Sequence, residues 1–206
     1  MKVSMILISA LSSIALYNPV SGSPAPIPGV ADLAPESVAA PMFWIGTPTP
    51  GGPEVRLNGT AQEIVEQIKE INPDWEEAPV PTATTGESPT NVKRYFQNRP
   101  TCGLVVGDWA VVPYLRDPVI SYLYALGATT CGAYARTCSR VSCHWSAAVE
   151  LCNDRTTEVQ MRCDRIAHAA NEITNDCAKP APVHWVAKGQ WFDTTGYNVV
   201  VRKSNC

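Results

Sequence analysis

All eight cysteines of this 206-residue chain lie in its C-terminal half, and none precedes residue 102. An even number of cysteines predicts disulfide bonds if the protein is exported, and metal or redox sites if it stays in a reducing compartment. No C-x-x-C pair occurs and the three histidines are scattered, so we expect disulfides and no metal site or other cofactor. The sequence does not choose among the possible pairings of Cys102, Cys131, Cys138, Cys143, Cys152, Cys163, Cys177 and Cys206.

The first residues indicate export. The stretch MKVSMILISALSSIAL has one lysine followed by a short apolar run, which is typical of a secretory signal and too short for a stable membrane anchor. Small residues in VSG place the predicted cleavage after Gly22, so residues 1–22 are interpreted as a signal peptide. We therefore expect a soluble protein that is secreted to the extracellular space.

Residues 23–94 have a different composition from the rest of the chain. They contain twelve of the eighteen prolines, ten acidic residues and four basic residues, which gives 4 − 10 = −6. Proline fixes φ and lacks a backbone donor, so this composition predicts an acidic, proline-rich pro-segment that is largely disordered. One exception is a short helix predicted near 60–71, where Thr60 and Glu63 have the spacing of a capping box and isoleucines recur at Ile64, Ile68 and Ile71.

A Lys93-Arg94 pair stands between this segment and the cysteine-rich half. We expect a kexin-type protease to cut after Arg94 and release a mature domain of residues 95–206, whereas the pair Arg202-Lys203 is expected to survive in a strand. The sequence Asn58-Gly59-Thr60 is an N-glycosylation sequon, predicted to be modified in the precursor and lost with the pro-segment.

Residues 95–206 have the pattern of a folded domain, with eleven basic and nine acidic residues, or 11 − 9 = +2. Asp117 and Pro118 predict a helix start that Gly127 ends, and the alternation in RVSCHWSAAVELCND predicts one or two strands. A second helix is predicted over 159–177 and a hairpin over 183–206. The expected fold class is α+β, a disulfide-stabilised two-layer antiparallel sheet with two helices on one face in helix-hairpin-helix-hairpin order.

This order, with RVSCHWSAAVELCND before the long helix and GQWFDTTGYNVVV before the last cysteine, resembles small secreted proteins of filamentous fungi. They include the killer-toxin-like and necrosis-inducing effector group, and the likeness covers residues 102–206. The signal, pro-segment and Lys-Arg pair are also similar to the layout of kexin-processed fungal effectors. The resemblance implies a toxin or virulence effector that binds a host or competitor target, which could be a protein, a glycan or a membrane surface. We expect a monomer.

The chain has no recognisable catalytic motif, and no catalytic residue is assigned. The alternative function is a small secreted hydrolase, most plausibly a ribonuclease, in which positioned glutamate, histidine and arginine act as base, acid and phosphate-binding group. The residues of these types are Glu150, His144, His168, His184 and Arg140. The competing interpretation places Glu150 and His144 on the solvent face of a sheet.

Two further groups suggest binding surfaces. Arg155, Arg162 and Arg165 could contact an acidic or phosphorylated partner, although a solvated helix face is the favoured interpretation, and +2 is too small a charge to predict nucleic-acid binding. The aromatics of the last hairpin are the only sign of carbohydrate binding, and such residues in strands are more often core. They are Trp185, Trp191, Phe192 and Tyr197.

Overall fold

The computed structural model describes residues 40–81 and 96–206. The predicted signal peptide and the Lys93-Arg94 pair lie outside these residues. The described chain is a mixed α and β structure with four disulfides, so the expected disulfide-stabilised α+β class is confirmed.

The strands form one large sheet and one small sheet. The large sheet has the order β3-β11-β12-β7-β6-β1-β5-β8, with β2 paired to β1, and the small sheet has the order β4-β10-β9. The strands are β1 (Ala40–Gly46), β2 (Val55–Gly59), β3 (Thr101–Cys102), β4 (Ala110–Val111), β5 (Thr130–Ala133), β6 (Thr137–His144), β7 (Ala147–Asn153), β8 (Val159–Arg162), β9 (Lys179–Pro180), β10 (Trp185–Ala187), β11 (Gly189–Phe192) and β12 (Tyr197–Lys203).

The helices contribute to the same buried cluster as the central strands. They are α1 (Ala61–Ile71), α2 (Val112–Tyr114), α3 (Ser121–Ala125) and α4 (Cys163–Asp176), and the helical run Leu115–Ile120 between α2 and α3 is kinked at Asp117. Ile64 of α1, Leu123 of α3 and Ile173 of α4 are fully buried in this cluster together with Val149 of β7 and Val199 of β12. The main core is therefore one cluster to which both the helices and the central strands contribute.

The structure corrects the expectation that residues 23–94 are largely disordered, because residues 40–81 are folded. β1 lies inside the large sheet, parallel to β6 at Ala40 and Pro41 and antiparallel to β5 at Phe43–Ile45. Phe43 and Trp44 are buried, and Trp44 Nε1 donates a 2.6 Å hydrogen bond to Thr129 Oγ1. A segment expected to be expendable thus supplies an internal strand of the sheet.

One glycine shows how closely β1 fits the cysteine-rich part of the chain. Gly132 of β5 pairs with Phe43, and a Cβ atom at Gly132 would lie 2.2 Å from the Phe43 ring. Such a contact is impossible without displacing the ring, so only glycine permits this approach of the two strands.

The predicted helix near 60–71 is confirmed as α1. Thr60 is its N-cap, and the reciprocal hydrogen bonds between Thr60 and Glu63 form the expected capping box. Ile64 and Ile68 are buried as predicted, but Ile71 is half exposed and Val65 completes the buried face instead. Ile71 therefore does not belong to the packing stripe.

Other elements were predicted with displaced boundaries. The strands predicted around His144 are β6 and β7, and the last hairpin is β11 and β12 joined by residues 193–196. The helix predicted over 159–177 begins only at Cys163, because Val159 to Arg162 form β8. The helix predicted to start at Asp117-Pro118 corresponds to the residues that lead into α3, and Asp117 has the extended backbone of a residue that precedes a helix.

All eight cysteines are paired. The disulfides are Cys102–Cys177, Cys131–Cys163, Cys138–Cys152 and Cys143–Cys206. Two of them, Cys102–Cys177 and Cys131–Cys163, connect a strand to the region of α4. Because no cysteine precedes residue 102, no disulfide links residues 40–81 to the rest of the chain, and packing, hydrogen bonds and the Arg56–Glu158 ion pair hold them in place.

Candidate binding surface

An exposed tryptophan forms the tip of the hairpin between β6 and β7. His144 ends β6 and Ala147 begins β7, and these two residues face each other, so Trp145 and Ser146 form a two-residue turn. The Trp145 side chain is 71% exposed. Such exposure of the largest side chain places a broad apolar and aromatic surface in contact with water.

The backbone of this turn is unfavourable for the residues that occupy it. The φ angles are +47° at Trp145 and +63° at Ser146, as in a type I′ turn, which normally carries Asn-Gly or similar residues. A left-handed conformation costs about 1–2 kcal/mol for an ordinary L-residue and is rare for a bulky one. Strain of this kind clusters at functional sites, where the rest of the structure holds it in place.

Two aromatic side chains accompany Trp145. Its ring stacks on Tyr114, with centroids 6.1 Å apart and an interplanar angle of 24°, and it meets the His144 ring edge to face at 5.9 Å. Tyr114 is itself exposed, at the end of α2. Trp145, Tyr114 and His144 are called the Trp145 surface below.

The chain after β12 fixes the turn from the other side. The Ser204 backbone N–H donates a 3.0 Å hydrogen bond to the Ser146 carbonyl oxygen. Cys143, two residues before Trp145, is bonded to Cys206. The turn is therefore held by a disulfide, a backbone hydrogen bond and a ring stack, which together preorganise the Trp145 surface.

The ribonuclease candidates Glu150 and Arg140 come together on one face of the large sheet. Arg140 of β6 stands opposite Glu150 of β7, and Arg202 of β12 forms a charged pair with Glu150 at 2.9 Å. Glu150 is only 1% exposed and accepts three hydrogen bonds from Arg202. A buried carboxylate that accepts three hydrogen bonds from an arginine belongs to a structural ion pair and is not accessible to a substrate as a base.

The histidines do not join this group. Glu150 is two residues beyond Ala148 in β7, so these two side chains lie on the same face of the sheet. Cys143 stands opposite Ala148, whereas His144 stands opposite Ala147, so His144 lies on the other face from Glu150. His168 is half-buried on α4, and His184 is exposed before β10. The predicted acid and base are therefore separated by the sheet itself.

The three arginines proposed as a helix-face contact lie in different elements of the chain. Arg162 caps the start of α4 and forms an ion pair with Asp164, while Arg155 lies in the loop between β7 and β8. Arg165 is half-buried on α4.

Of the hairpin aromatics, Trp191 and Tyr197 are core residues. Trp191 is buried, stacks on Phe96 at 4.6 Å and donates a 2.9 Å hydrogen bond from Nε1 to the Gln97 carbonyl oxygen. Phe192 is half-buried, and Trp185 is exposed on β10. Carbohydrate binding by Trp191 is therefore excluded by its burial.

A cleft of about 630 Å³ lies between the β1–β2 loop and the turn after α1. Trp75 lines it with the carboxylates Asp74 and Glu76, and Asn72 Nδ2 donates a 3.0 Å hydrogen bond to the Pro48 carbonyl oxygen at its edge. Its described lining contains no histidine, lysine or arginine, so it lacks the residues of the ribonuclease hypothesis.

Residues 40–81 and 96–206 contain neither a metal site nor a membrane-spanning helix. Within these ranges no group of three or more His, Cys, Asp or Glu side chains could hold a metal ion. Among the same residues, none of the helices has the length and apolar character needed to cross a bilayer.

The chain matches no protein-family model, and comparisons with curated proteins and with solved structures give no match either. The Trp145 surface therefore rests on the geometry of the chain itself. The sequence does not identify the central residue of this surface. Because the turn lacks the usual Asn-Gly signal, the sequence pattern places Trp145 in a strand.

Proposed function

We propose that this protein is a secreted effector or toxin-like protein of fungal type, which acts by binding a host or competitor target through the Trp145 surface. The observation that carries this proposal is the exposed Trp145 in a left-handed backbone conformation. Tryptophan is enriched among the residues that dominate binding energy at protein surfaces. Selection for stability alone would favour glycine or asparagine at this position.

The disulfides support export. Bonds of this kind form and persist in oxidising compartments, and the structure pairs all eight cysteines. The two-layer arrangement with helices on one sheet face, implied by the resemblance to killer-toxin-like proteins, belongs to the same proposal. So does a monomeric state.

Maturation by a kexin-type protease after Arg94 remains part of the proposal, with a changed consequence. Since β1, β2 and α1 are built into the fold, cleavage would leave them bound rather than release a spent pro-segment. A glycan on Asn58 would likewise stay with the protein. Asn58 is exposed on β2, and its Oδ1 accepts a 2.8 Å hydrogen bond from Tyr134 Oη.

Binding to intact cells tests the proposal. Fluorescently labelled protein would be applied to plant tissue and to yeast cells, beside the variants Trp145→Asn and Trp185→Asn, the second being a matched change at another exposed tryptophan. We expect saturable binding that Trp145→Asn reduces at least about tenfold and Trp185→Asn leaves unchanged. Equal binding of all three proteins would refute the assignment of the surface.

The hydrolase alternative has its own assay. Purified protein would be incubated with RNA at mildly acidic and neutral pH, beside Glu150→Gln. We expect no cleavage above background, because Glu150 is buried and paired with Arg202 while His144 lies on the opposite face. Robust cleavage that is lost in Glu150→Gln would overturn the binding proposal.

A further inference from the structure

The loop between β3 and β4, residues 103–109, exposes aliphatic side chains at its tip. β3 pairs with β11 at Gly189 and β4 pairs with β10 at Ala187, so the loop leaves and rejoins nearly the same point of the neighbouring chain. Leu104 is 77% exposed and Val106 is 61% exposed. The sequence here is GLVVGDW.

The loop is anchored rather than loose. Val105 is buried against the Cys138–Cys152 disulfide and Val200, on the face of the sheet that carries Glu150. Its neighbours Leu104 and Val106 therefore point outward. Its backbone is tied down by further hydrogen bonds to the carbonyl oxygens of residues 106 and 107. The donors are Arg202 Nη1 at 3.0 Å and Lys188 Nζ at 2.8 Å.

Three lysines contact the C-terminal part of the loop, residues 107–109. Lys188 Nζ reaches the loop directly, Lys179 Nζ lies 3.6 Å from the centre of the Trp109 ring, and Lys203 Nζ lies 3.9 Å from Asp108 Oδ2. Asp108 is the one carboxylate within the loop. The loop and its three lysines therefore carry a formal charge of 3 − 1 = +2, and the same loop exposes two aliphatic side chains.

We propose that residues 103–109 dock onto a lipid bilayer that contains anionic phospholipids. Leu104 and Val106 would enter the boundary between headgroups and acyl chains, while Lys179, Lys188 and Lys203 contact lipid phosphates. This surface is distinct from the Trp145 surface, and neither needs the other in order to bind.

Two observations favour a bilayer over another occupant. Protein interfaces are depleted in lysine, whereas this loop exposes two aliphatic side chains and is contacted by three lysines. A second copy of the chain in a symmetric dimer would place like charges together, because the same patch meets itself. Anionic phospholipid headgroups carry the opposite charge, and the acyl chains beneath them form an apolar layer at a fixed depth.

Vesicle sedimentation tests the proposal. The secreted protein would be mixed with phosphatidylcholine vesicles that contain about 30% phosphatidylserine, and with vesicles of phosphatidylcholine alone. We expect at least about tenfold tighter binding to the anionic vesicles, reduced by salt. Equal binding to both compositions, or no binding to either, would overturn the proposal.

Variants identify the binding residues. Leu104→Ser/Val106→Ser and Lys179→Gln/Lys203→Gln should each weaken vesicle binding about tenfold or more. Val183→Ser, a matched change at another exposed aliphatic side chain, should leave it unchanged, as should Trp145→Asn. Unchanged binding of the Leu104→Ser/Val106→Ser variant would refute docking by this loop, and so would loss of binding in Trp145→Asn.

Discussion

The rings of Tyr114 and Trp145 stack with centroids 6.1 Å apart, although one residue ends a short helix and the other is the tip of a hairpin. The stack joins the α2 region to the sheet at the exposed end of β6 and β7. It gives Trp145 a defined position in spite of its exposure and its left-handed backbone. The Cys143–Cys206 disulfide, the ring stack and the strained turn lie together, and their separate contributions to stability and to binding can be measured.

The disulfide beside the turn should stabilise both the fold and the Trp145 surface. Cys143 and Cys206 are 63 residues apart in sequence, so the chain-entropy estimate for this loop is about 4 kcal/mol. Cys143→Ser/Cys206→Ser should therefore lower the free energy of unfolding by a few kcal/mol and also weaken binding to cells. Denaturant titration and cell-binding titration measure the two effects.

The control for this change is Cys138→Ser/Cys152→Ser. That disulfide closes only 14 residues and should contribute about 3 kcal/mol, but it does not adjoin Trp145. We expect it to lower stability without changing the affinity of the molecules that remain folded. Equal losses of affinity in both pairs would show that the Trp145 surface depends on overall stability alone.

Arg202 should matter for stability because it neutralises Glu150. Removing one partner of a buried ion pair costs about 3–5 kcal/mol, since the other charge is left without compensation. Arg202→Met should lower the free energy of unfolding by an amount in that range, and Glu150→Met/Arg202→Met should recover a large part of it. Lys203→Met, at the exposed neighbour, should change stability by no more than about 0.5 kcal/mol. A double variant less stable than Arg202→Met would contradict this account.

Stability should fall at alkaline pH because Tyr197 is buried and Tyr124 is partly buried. Burial raises the pKa of Tyr124 to about 12 and, with a hydrogen bond to Asp193, raises that of Tyr197 further. The unfolded chain has tyrosine pKa values near about 10, so it loses protons first as pH rises. Their contribution is complete below about pH 10 and is lost between about pH 10 and the folded-state pKa values.

The slope is the quantity to measure. Each such tyrosine should reduce the free energy of unfolding by up to about 1.4 kcal/mol per pH unit above about pH 10. Tyr124→Phe should remove its share of that slope, as judged from denaturant titrations at several pH values. A slope that is unaffected by both Tyr124→Phe and Tyr197→Phe would show that other groups cause the alkaline loss.

Parts of this structure could be read from the sequence, and others could not. The β6–β7 strands and the last hairpin follow from alternating residues, and α1 from its capping box. β1 was missed because the prolines and acids of residues 23–94 dominated the composition and hid the apolar run MFWI, residues 42–45. β8 was merged into α4 because Val159 and Cys163 fit a helical spacing as well as a strand.

The candidate surfaces were less predictable still. The stack of Trp145 on Tyr114 joins elements far apart in sequence, and no local pattern encodes such a contact. The outward position of Leu104 depends on the burial of Val105 against Val200, which only the folded sheet provides. Composition pointed to binding, but tertiary packing determines which side chains are presented.

Cleavage after Arg94, if it occurs, should yield two chains that remain together. Phe43 and Trp44 are buried against the later part of the chain, and no cysteine precedes Cys102 to link the pieces covalently. We expect two bands on a non-reducing denaturing gel, one species on native size exclusion, and an N-terminus at Tyr95 in addition to the first. The fragment 95–206 expressed alone should fail to fold, because the sheet would lack β1. A folded fragment 95–206 would contradict this arrangement.

Replacing Trp145 should separate stability from function. Asparagine accepts the left-handed conformation and relieves about 1–2 kcal/mol of strain, while the lost stack on Tyr114 costs about 0.5–1.5 kcal/mol. Trp145→Asn should therefore change the free energy of unfolding by an amount between a loss of about 0.5 kcal/mol and a gain of about 1.5 kcal/mol. A loss much larger than this would show that Trp145 is retained for stability.

The affinity of Trp145→Asn for intact target cells, relative to wild type, tests the central claim most directly. We predict a dissociation constant at least about tenfold higher than that of wild type, with the unfolding free energy lowered by no more than about 0.5 kcal/mol and Trp185→Asn indistinguishable from wild type. An affinity of Trp145→Asn equal to that of wild type would contradict the assignment of Trp145 as the centre of the binding surface.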